Sequence, residues 1–276
     1  MLDDRKTSEH YHHGNLLAAV TSGLEQLGKT AENVTIEDLA PLDEFHIGGR
    51  RASKELLDQL GLSGGRHLLD IGCGLGGTAR FVADLYKSRV SGIDLTAEYV
   101  ETGRTLCRWT GLDDHIALHQ GNALSMPFAD ATFDGAFMLH VGMNIPDKAG
   151  LFAEIFRVLR RDALLGIYDV MRIDEGELLY PVPWAAEAAA SAVATPEQYK
   201  EALRKAGFDV TAERDRHEFA IDFFRQLKTA SAAAKKPAPL GAHILMGQDA
   251  PLKAKNMIEN ISTGRLTPVE LIARKI

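Results

Sequence analysis

The stretch Leu68-Leu69-Asp70-Ile71-Gly72-Cys73-Gly74-Leu75-Gly76-Gly77 leaves this chain few folds to choose from. A short apolar run of this kind reads as a buried strand, and it breaks into glycines where a turn has to be tight. From Thr78 to Lys87, the residues Phe81, Val82 and Leu85 recur at helical spacing, which suits a helix laid on a sheet. Strand, glycine turn and helix make the first half of a nucleotide-binding βα unit. Backbone without Cβ atoms also lets a small molecule approach closely.

Two ligands compete for such a turn. Gly72, Gly74 and Gly77 satisfy G-x-G-x-x-G, so an NAD-dependent oxidoreductase is one reading. The other starts from Asp70, two residues ahead of the first glycine. A pyrophosphate seeks backbone N–H groups and a helix N-terminus, and a carboxylate beside it repels it. A ligand with an ammonium, a sulfonium and no phosphate is attracted instead, and S-adenosyl-L-methionine is such a ligand. The acid therefore favours methyl transfer. A non-catalytic S-adenosylmethionine-binding protein is the third reading, because a fold does not guarantee chemistry.

Length and charge narrow the partners. The 276 residues suffice for one large α/β domain with helical additions. A net charge of −7 comes without the basic stripe that a nucleic-acid surface needs. No run of about 18 apolar residues is present to span a membrane. The N-terminus carries Asp3, Asp4 and Arg5 rather than the apolar segment of a signal peptide. Cys73 and Cys107 have no metal-type spacing, so a reducing cytoplasm is expected. His10, His12 and His13 cluster in residues 1–14, which read as a loose terminus, and three histidines so close rarely form a closed tetrahedral site. No metal is expected; a small-molecule substrate is, and a homodimer is compatible.

Along the chain, Asn15 is placed to cap a helix to about Leu27, and Thr35 with Glu37-Asp38 starts a short turn. The segment Asp43 to Arg50 is either a Gly-Gly turn into a helix through Leu60 or part of a cap presenting Phe45 and His46 to the ligand. A second strand, Arg89 to Asp94, ends in an acid at the spacing where a carboxylate accepts ribose hydroxyls. Asp94 or Thr96 can equally cap the next helix. After a third strand, Ile116 to Gln120, Asn122 offers a donor and acceptors to an adenine edge, or is an ordinary turn residue. The fourth strand, Phe133 to Leu139, ends at His140, either a packed ring or a group that orients or deprotonates a substrate. Asp147 caps a helix holding Leu151, Ile155, Val158 and Leu159. A fifth strand, Leu164 to Val170, carries Asp169, facing substrate or paired with a structural arginine.

The pattern fails from Arg172 to Ala194, read as a lid or as an Ala-rich helix on the sheet edge. Thr195-Pro196-Glu197-Gln198 starts a helix that stops at Gly207, and Phe208 to Val210 begins a sixth strand. Helical tracts at 218–234 and 250–261 flank an Ala-Lys-Pro linker, Ala232 to Pro239. The tail from Val269 to Ile276 closes as a strand.

With these residues in register, the chain resembles the class I S-adenosylmethionine-dependent methyltransferases over residues 43 to about 217. Through Asp43-x-Phe45-His46-x-Gly48-Gly49 it is most similar to the small-molecule branch containing sarcosine/dimethylglycine N-methyltransferases and related sugar O-methyltransferases. The resemblance implies an α/β, Rossmann-like fold with a seven-stranded, mostly parallel sheet and an antiparallel final strand. The expected organisation is an N-terminal helical cap (1–60) and a methyltransferase domain (61–276), with a lid at about 172–194 and a helical addition at about 218–264. It implies Asp70 and Gly72 by the methionine end of the cofactor, with Gly74 and Gly76 in the same loop. Asp94-Leu95 would lie by the ribose and Asn122-Ala123 by the adenine, with His140 also against the cofactor. Candidate catalytic groups are His140, His46 and Asp169. Two departures stand out: many relatives carry Asp where Asn122 stands, and His where Asn144 stands. The implied activity is methyl transfer from S-adenosylmethionine to an amine or hydroxyl of a small molecule.

Overall fold

The alternation of apolar runs and amphipathic stretches between residues 67 and 172 becomes five parallel strands with helices between them. The computed structural model describes residues 4–233 and 238–276. Four helices come first: α1 (Asp4–Tyr11), α2 (Leu16–Gln26), α3 (Ile36–Asp43) and α4 (Gly49–Asp58). Then follow β1 (His67–Ile71), α5 (Gly77–Tyr86), β2 (Arg89–Asp94), α6 (Ala97–Trp109), β3 (Ile116–Gln120) and β4 (Phe133–Leu139). The chain continues through α7 (Lys148–Val158), β5 (Leu159–Arg172), α8 (Pro196–Ala206) and β6 (Phe208–Asp215). It finishes with α9 (His217–Ala233), α10 (His243–Met246), α11 (Ala250–Ser262) and β7 (Leu266–Lys275).

The strands form a seven-stranded sheet in the order β3-β2-β1-β4-β5-β7-β6. β3, β2, β1, β4 and β5 run parallel, and β7 lies antiparallel between β5 and β6. Burial on both faces explains why β1 and β5 read as near-continuous apolar runs rather than alternating ones. One core lies on each face. Phe133, Met138, Leu151, Phe152, Ile155 and Tyr199 fill the side covered by α7 and α8. Leu56, Leu57, Val82, Val100 and Phe137 fill the side covered by α4, α5 and α6. The capping signal of α8 forms as a reciprocal box, Thr195 with Gln198, and α3 opens on a second box, Thr35 with Asp38.

Several expectations are corrected. Asp4–Tyr11 form a helix, α1, where residues 1–14 were expected to be a loose terminus, and only residues 12–14 of the described part are irregular; residues 1–3 lie outside the described residues, as do residues 234–237 of the expected linker. Asn15 occupies the N-cap position of α2, but its side chain makes no cap bond. The Glu98 carboxylate takes that role across space, accepting from the backbone N–H groups of His13, Gly14 and Leu16. Thr35 opens a two-turn helix rather than a short turn. β5 begins at Leu159, where α7 stops, so Leu159 is a strand residue. Residues 172–194 contain no α-helix, only a bridge between Val182 and Ala185 and a short 3₁₀ turn at Ala188–Ala190. Among the described residues no helix is long and apolar enough to cross a membrane.

Candidate active site

Parallel strands open a crevice at their carboxyl ends where the strand order reverses, and here that point lies between β1, followed by β2, and β4. The loop leaving β1 fills it. Gly72 takes φ +68°, and a Cβ there would lie 2.3 Å from Val141 Cγ2, so both the backbone and the β4 end demand glycine. The last glycine of the fingerprint answers to a different neighbour. A Cβ on Gly77 would lie 2.3 Å from Asp43 Cβ, where α3 closes on α5. At that seam Arg80 Nη2 meets Asp43 Oδ1 at 2.5 Å with both side chains fully buried, and Arg80 Nη1 donates to the Leu75 carbonyl at 2.7 Å. The helical cap thus props the loop from behind. Gly76, expected against the cofactor, does not line the cavity; at φ +73° it starts α5 and packs against Leu118.

The acid at the end of β2 fixes the loop from the front. Asp94 Oδ2 accepts from Gly74 N at 2.9 Å and Oδ1 from Thr96 N at 2.8 Å. Each oxygen keeps a lone pair for hydroxyl donors. Asp70 is buried, and its Oδ2 has no partner among the described residues. Burial first, and then the neighbouring Asp94, push its pKa well above the usual carboxylate range. Burial raises Asp94 as well. A cationic ligand would relieve both.

The cavity has a volume of about 1160 Å³ and is lined by Asp70, Gly72, Gly74, Asp94, Leu95, Asn122, Ala123, His140 and His46. Asn122 serves its turn at the same time, with Oδ1 accepting from Leu124 N at 2.8 Å. His140 sits at φ +56° with its backbone N–H on the Tyr168 carbonyl at 2.7 Å. Its ring centroid lies 5.1 Å from that of Tyr168 and 5.8 Å from that of His46. His140 Nε2 is buried without a partner among the described residues. Burial, and secondarily His46, hold its pKa well below 6.5, which keeps the imidazole neutral.

The other two catalytic candidates are engaged elsewhere. His46 Nε2 lies 3.0 Å from Ser53 Oγ, 3.2 Å from the Gly49 carbonyl and 3.4 Å from Glu44 Oε2, so its ring lines the wall while that nitrogen serves the α3–α4 turn. Asp169 does not line the cavity. It neither faces the cavity nor pairs with an arginine; Oδ2 accepts from Gly142 N at 2.8 Å and Tyr199 Oη at 2.7 Å. Burial pushes it up to about 6. Its register on β5 turns it toward α8, from which Tyr199 reaches it. The N-terminal histidines do not converge. His10 Nε2 bonds the Pro183 carbonyl at 3.0 Å, and His12 Nδ1 faces Glu98 at 3.2 Å.

Sequence reasoning passed over several walls of the cavity. Tyr11 of α1 donates to Asn144 Oδ1 at 3.2 Å and packs on Tyr99 at 5.9 Å between centroids. Asn144, one of the two departures noted above, is therefore the anchor of α1. Trp184 of the 172–194 segment and Phe223 and Phe224 of α9 form further walls. A single signal was available for Tyr99: it lies one helical turn into α6, directly after the β2 acid. Asp70 Oδ2, Tyr99 Oη and His140 Nε2 are all buried cavity groups lacking a partner among the described residues. Buried polar atoms are seldom left so, and the set fits a ligand with a cationic amino-acid end and hydroxyls.

Residues 69–167 match the family described as a methyltransferase domain. Among curated relatives, the methyltransferase GfsG of Streptomyces halstedii is 26% identical over 210 residues, covering 75% of this chain and 73% of that protein. The methyltransferase phqN of Penicillium fellutanum is 32% identical over 120 residues, 44% of this chain and 37% of that protein. Against the sterol methyltransferases it also matches, the chain spans 34% to 48% of their length. Among solved structures, that of the [4+2]-cyclase SpnF superposes with a TM-score of 0.65 at 25% identity, covering 82% of this chain and 80% of that one. Sheet order, glycine loop and strand-end acid define a class I S-adenosylmethionine-dependent methyltransferase domain. The likeness of this chain to methyltransferases thus rests on a domain match over residues 69–167 and on a relative aligned over 75% of its length.

Proposed function

We propose that the protein methylates a hydroxyl or amine of a small molecule, with His140 as the general base. The observation that carries this reading is the neutral, unpartnered His140 Nε2 in the same cavity as Asp70 and Asp94. S-adenosylmethionine, when bound, supplies an electrophilic methyl that leaves its sulfonium by in-line displacement. The protein's part is to hold, orient and dry. Asp70 faces the cationic amino-acid end, Asp94 accepts the ribose hydroxyls beside Leu95, and Asn122 with Ala123 flanks the adenine. Gly72 and Gly74 keep the loop clear of side chains. His140 takes the acceptor's proton as the nucleophile develops, an effect worth about 10²–10⁴-fold. Helices α1 to α4, the segment 172–194 and helices α9 to α11 act as the cover that excludes water. Two free buried cysteines suit a cytoplasmic setting, and a net charge of −7 disfavours a nucleic-acid substrate.

The test is calorimetric titration with S-adenosylmethionine together with labelled-methyl transfer to a panel of alcohols, phenols and amines. Binding that Asp94→Ala abolishes, with transfer to at least one panel member, is the expected result. Unchanged affinity in Asp94→Ala would defeat the assignment of the pocket, and tight binding without any transfer would defeat the assignment of a reaction.

A further inference from the structure

The cavity is larger than its cofactor requires. Pockets for a single drug-sized ligand run to about 300–1,000 Å³, and this one reaches about 1160 Å³. Its inner end carries the strand-end acids. Its outer part is walled by Ile221, Phe223, Phe224 and Leu227 of α9 and by Met257 and Ile258 of α11. Leu227 and Ile258 remain 47% and 37% exposed, so the described residues leave part of this apolar wall uncovered.

Among the described residues the chamber also offers no free buried cation to hold a small charged acceptor. Arg50 lines it but is bound to Glu44 at 2.6 Å, and Arg225 is paired with Asp222. Lys228 lies at the exposed end of α9. A glycine-like amine would find its carboxylate without a free buried cation. It would also leave the outer chamber to water, at about 30 Å³ per molecule, against aliphatic and aromatic walls. An acceptor that brings its own apolar bulk expels that water and gains from doing so.

We infer that the acceptor is a largely apolar molecule comparable in size to the cofactor, seated between α9 and α11 with one hydroxyl or amine turned to His140. This rests on the methyl-transfer reading above, and it departs from the amino-acid substrates of the branch the sequence resembles. The cover is built for such a guest. Asn260 and Asn256 of α11 clip the backbone of Leu179 and Pro181, which holds Trp184 against Met257 in one apolar cluster around the chamber.

The experiment is equilibrium dialysis on the full chain saturated with S-adenosylhomocysteine, paired with labelled-methyl transfer from S-adenosylmethionine. The probes are glycine, sarcosine and ethanolamine on one side, and geraniol, 1-naphthol and a steroid alcohol on the other. The apolar probes are expected to bind and the polar ones to leave no measurable occupancy. Phe224→Asp should raise the Kd of an apolar probe at least about tenfold, as a charge set in an apolar wall does, and leave S-adenosylhomocysteine affinity unchanged. Retained cofactor affinity also shows that this variant folds. Preference for the polar probes, binding of neither set, or an unaltered Kd in Phe224→Asp overturns the inference. Apolar binding sensitive to Phe224→Asp but without methyl transfer would support the ligand class and defeat the proposed reaction, so the two claims fail separately.

Discussion

His140 holds a backbone conformation that costs free energy for any residue with a side chain, and it does so where β4 opens into the cavity. The bend turns a neutral ring toward the ligand while the backbone N–H stays bonded to β5. Replacing it with Asn, which tolerates this region, is expected to lower kcat by about 10²–10⁴-fold and to leave S-adenosylmethionine affinity intact, as read by steady-state kinetics and calorimetry. Titration follows from the same burial. The folded pKa values of His140 and His46 lie below their unfolded value of 6.5, so the unfolded chain binds more protons below that pH. Stability from these rings is present above pH 6.5 and is lost as pH falls through it. Urea denaturation at pH 7.5 and 5.5 should therefore show a smaller acid loss in a His46→Gln/His140→Asn double variant than in the parent. The buried acids have the opposite sign. Asp70 and Asp94 are raised in the free protein, so a cation binding beside them releases protons. Calorimetry in buffers of different ionisation enthalpy should detect that release, with affinity rising as pH climbs. That Asp70, Asp94, Asn122 and His140 line the cavity was legible in the sequence because each lies at or just beyond the carboxyl end of a strand that glycine or periodicity marks. Asp169 lies three residues before the end of β5, but which way it faces depends on Tyr199, thirty positions on, and no local pattern carries that.

At the level of elements, the N-terminal cover is held by contacts that a sequence pattern does not display. α1 has no apolar stripe, and it stays in place through Tyr11 against Asn144 and Tyr99. Glu98 anchors the turn that follows by gathering three backbone N–H groups and His12. Glu98→Ala leaves those donors without their acceptor and is expected to cost about 1–3 kcal/mol in urea denaturation, with faster proteolysis near residues 12–15. The same blindness explains the Ala-rich run before Ala194. Its residues have high helix propensity, but Pro181 and Pro183 precede it, and a stretch this short does not pay for its own nucleation. Trp184, bonded through Nε1 to Ser191 at 2.9 Å, instead folds the run around a buried ring. The paired cap of α8 was readable because both partners lie within four residues, whereas the equally local pair at Thr35 was read only as a short turn. Glu98 and the backbone N–H groups it holds at the start of α2 are separated by 82 to 85 positions.

Across the whole molecule, one buried charge cluster ties the sheet to its cover. Glu270 of β7 receives Arg216, Arg214 at 2.6 Å and Gln59 at 2.9 Å, while Arg216 also meets Glu55 at 2.7 Å. Strand β7, helix α4 and the start of α9 thus share one joint. Glu270→Ala strands Arg216 in the interior, and chemical denaturation should register a loss of about 3–5 kcal/mol. The parallel part of the sheet was open to reading because each βα unit is local. The place of β7 was not, since its partners on β5 lie 94 to 110 positions back, and although the tail was read as a strand from its own residues, its antiparallel direction came through family likeness. That placement has a consequence for how the protein is made. In the finished sheet β6 bonds to β7 alone, yet it leaves the ribosome with three helices still to follow before its neighbour exists. Until then the nascent chain carries β5 with one bare side and β6 with none to lean on, a sticky intermediate of the sort chaperones attend. Pauses in translation between α9 and β7 should therefore reduce the yield of native protein more than pauses anywhere earlier.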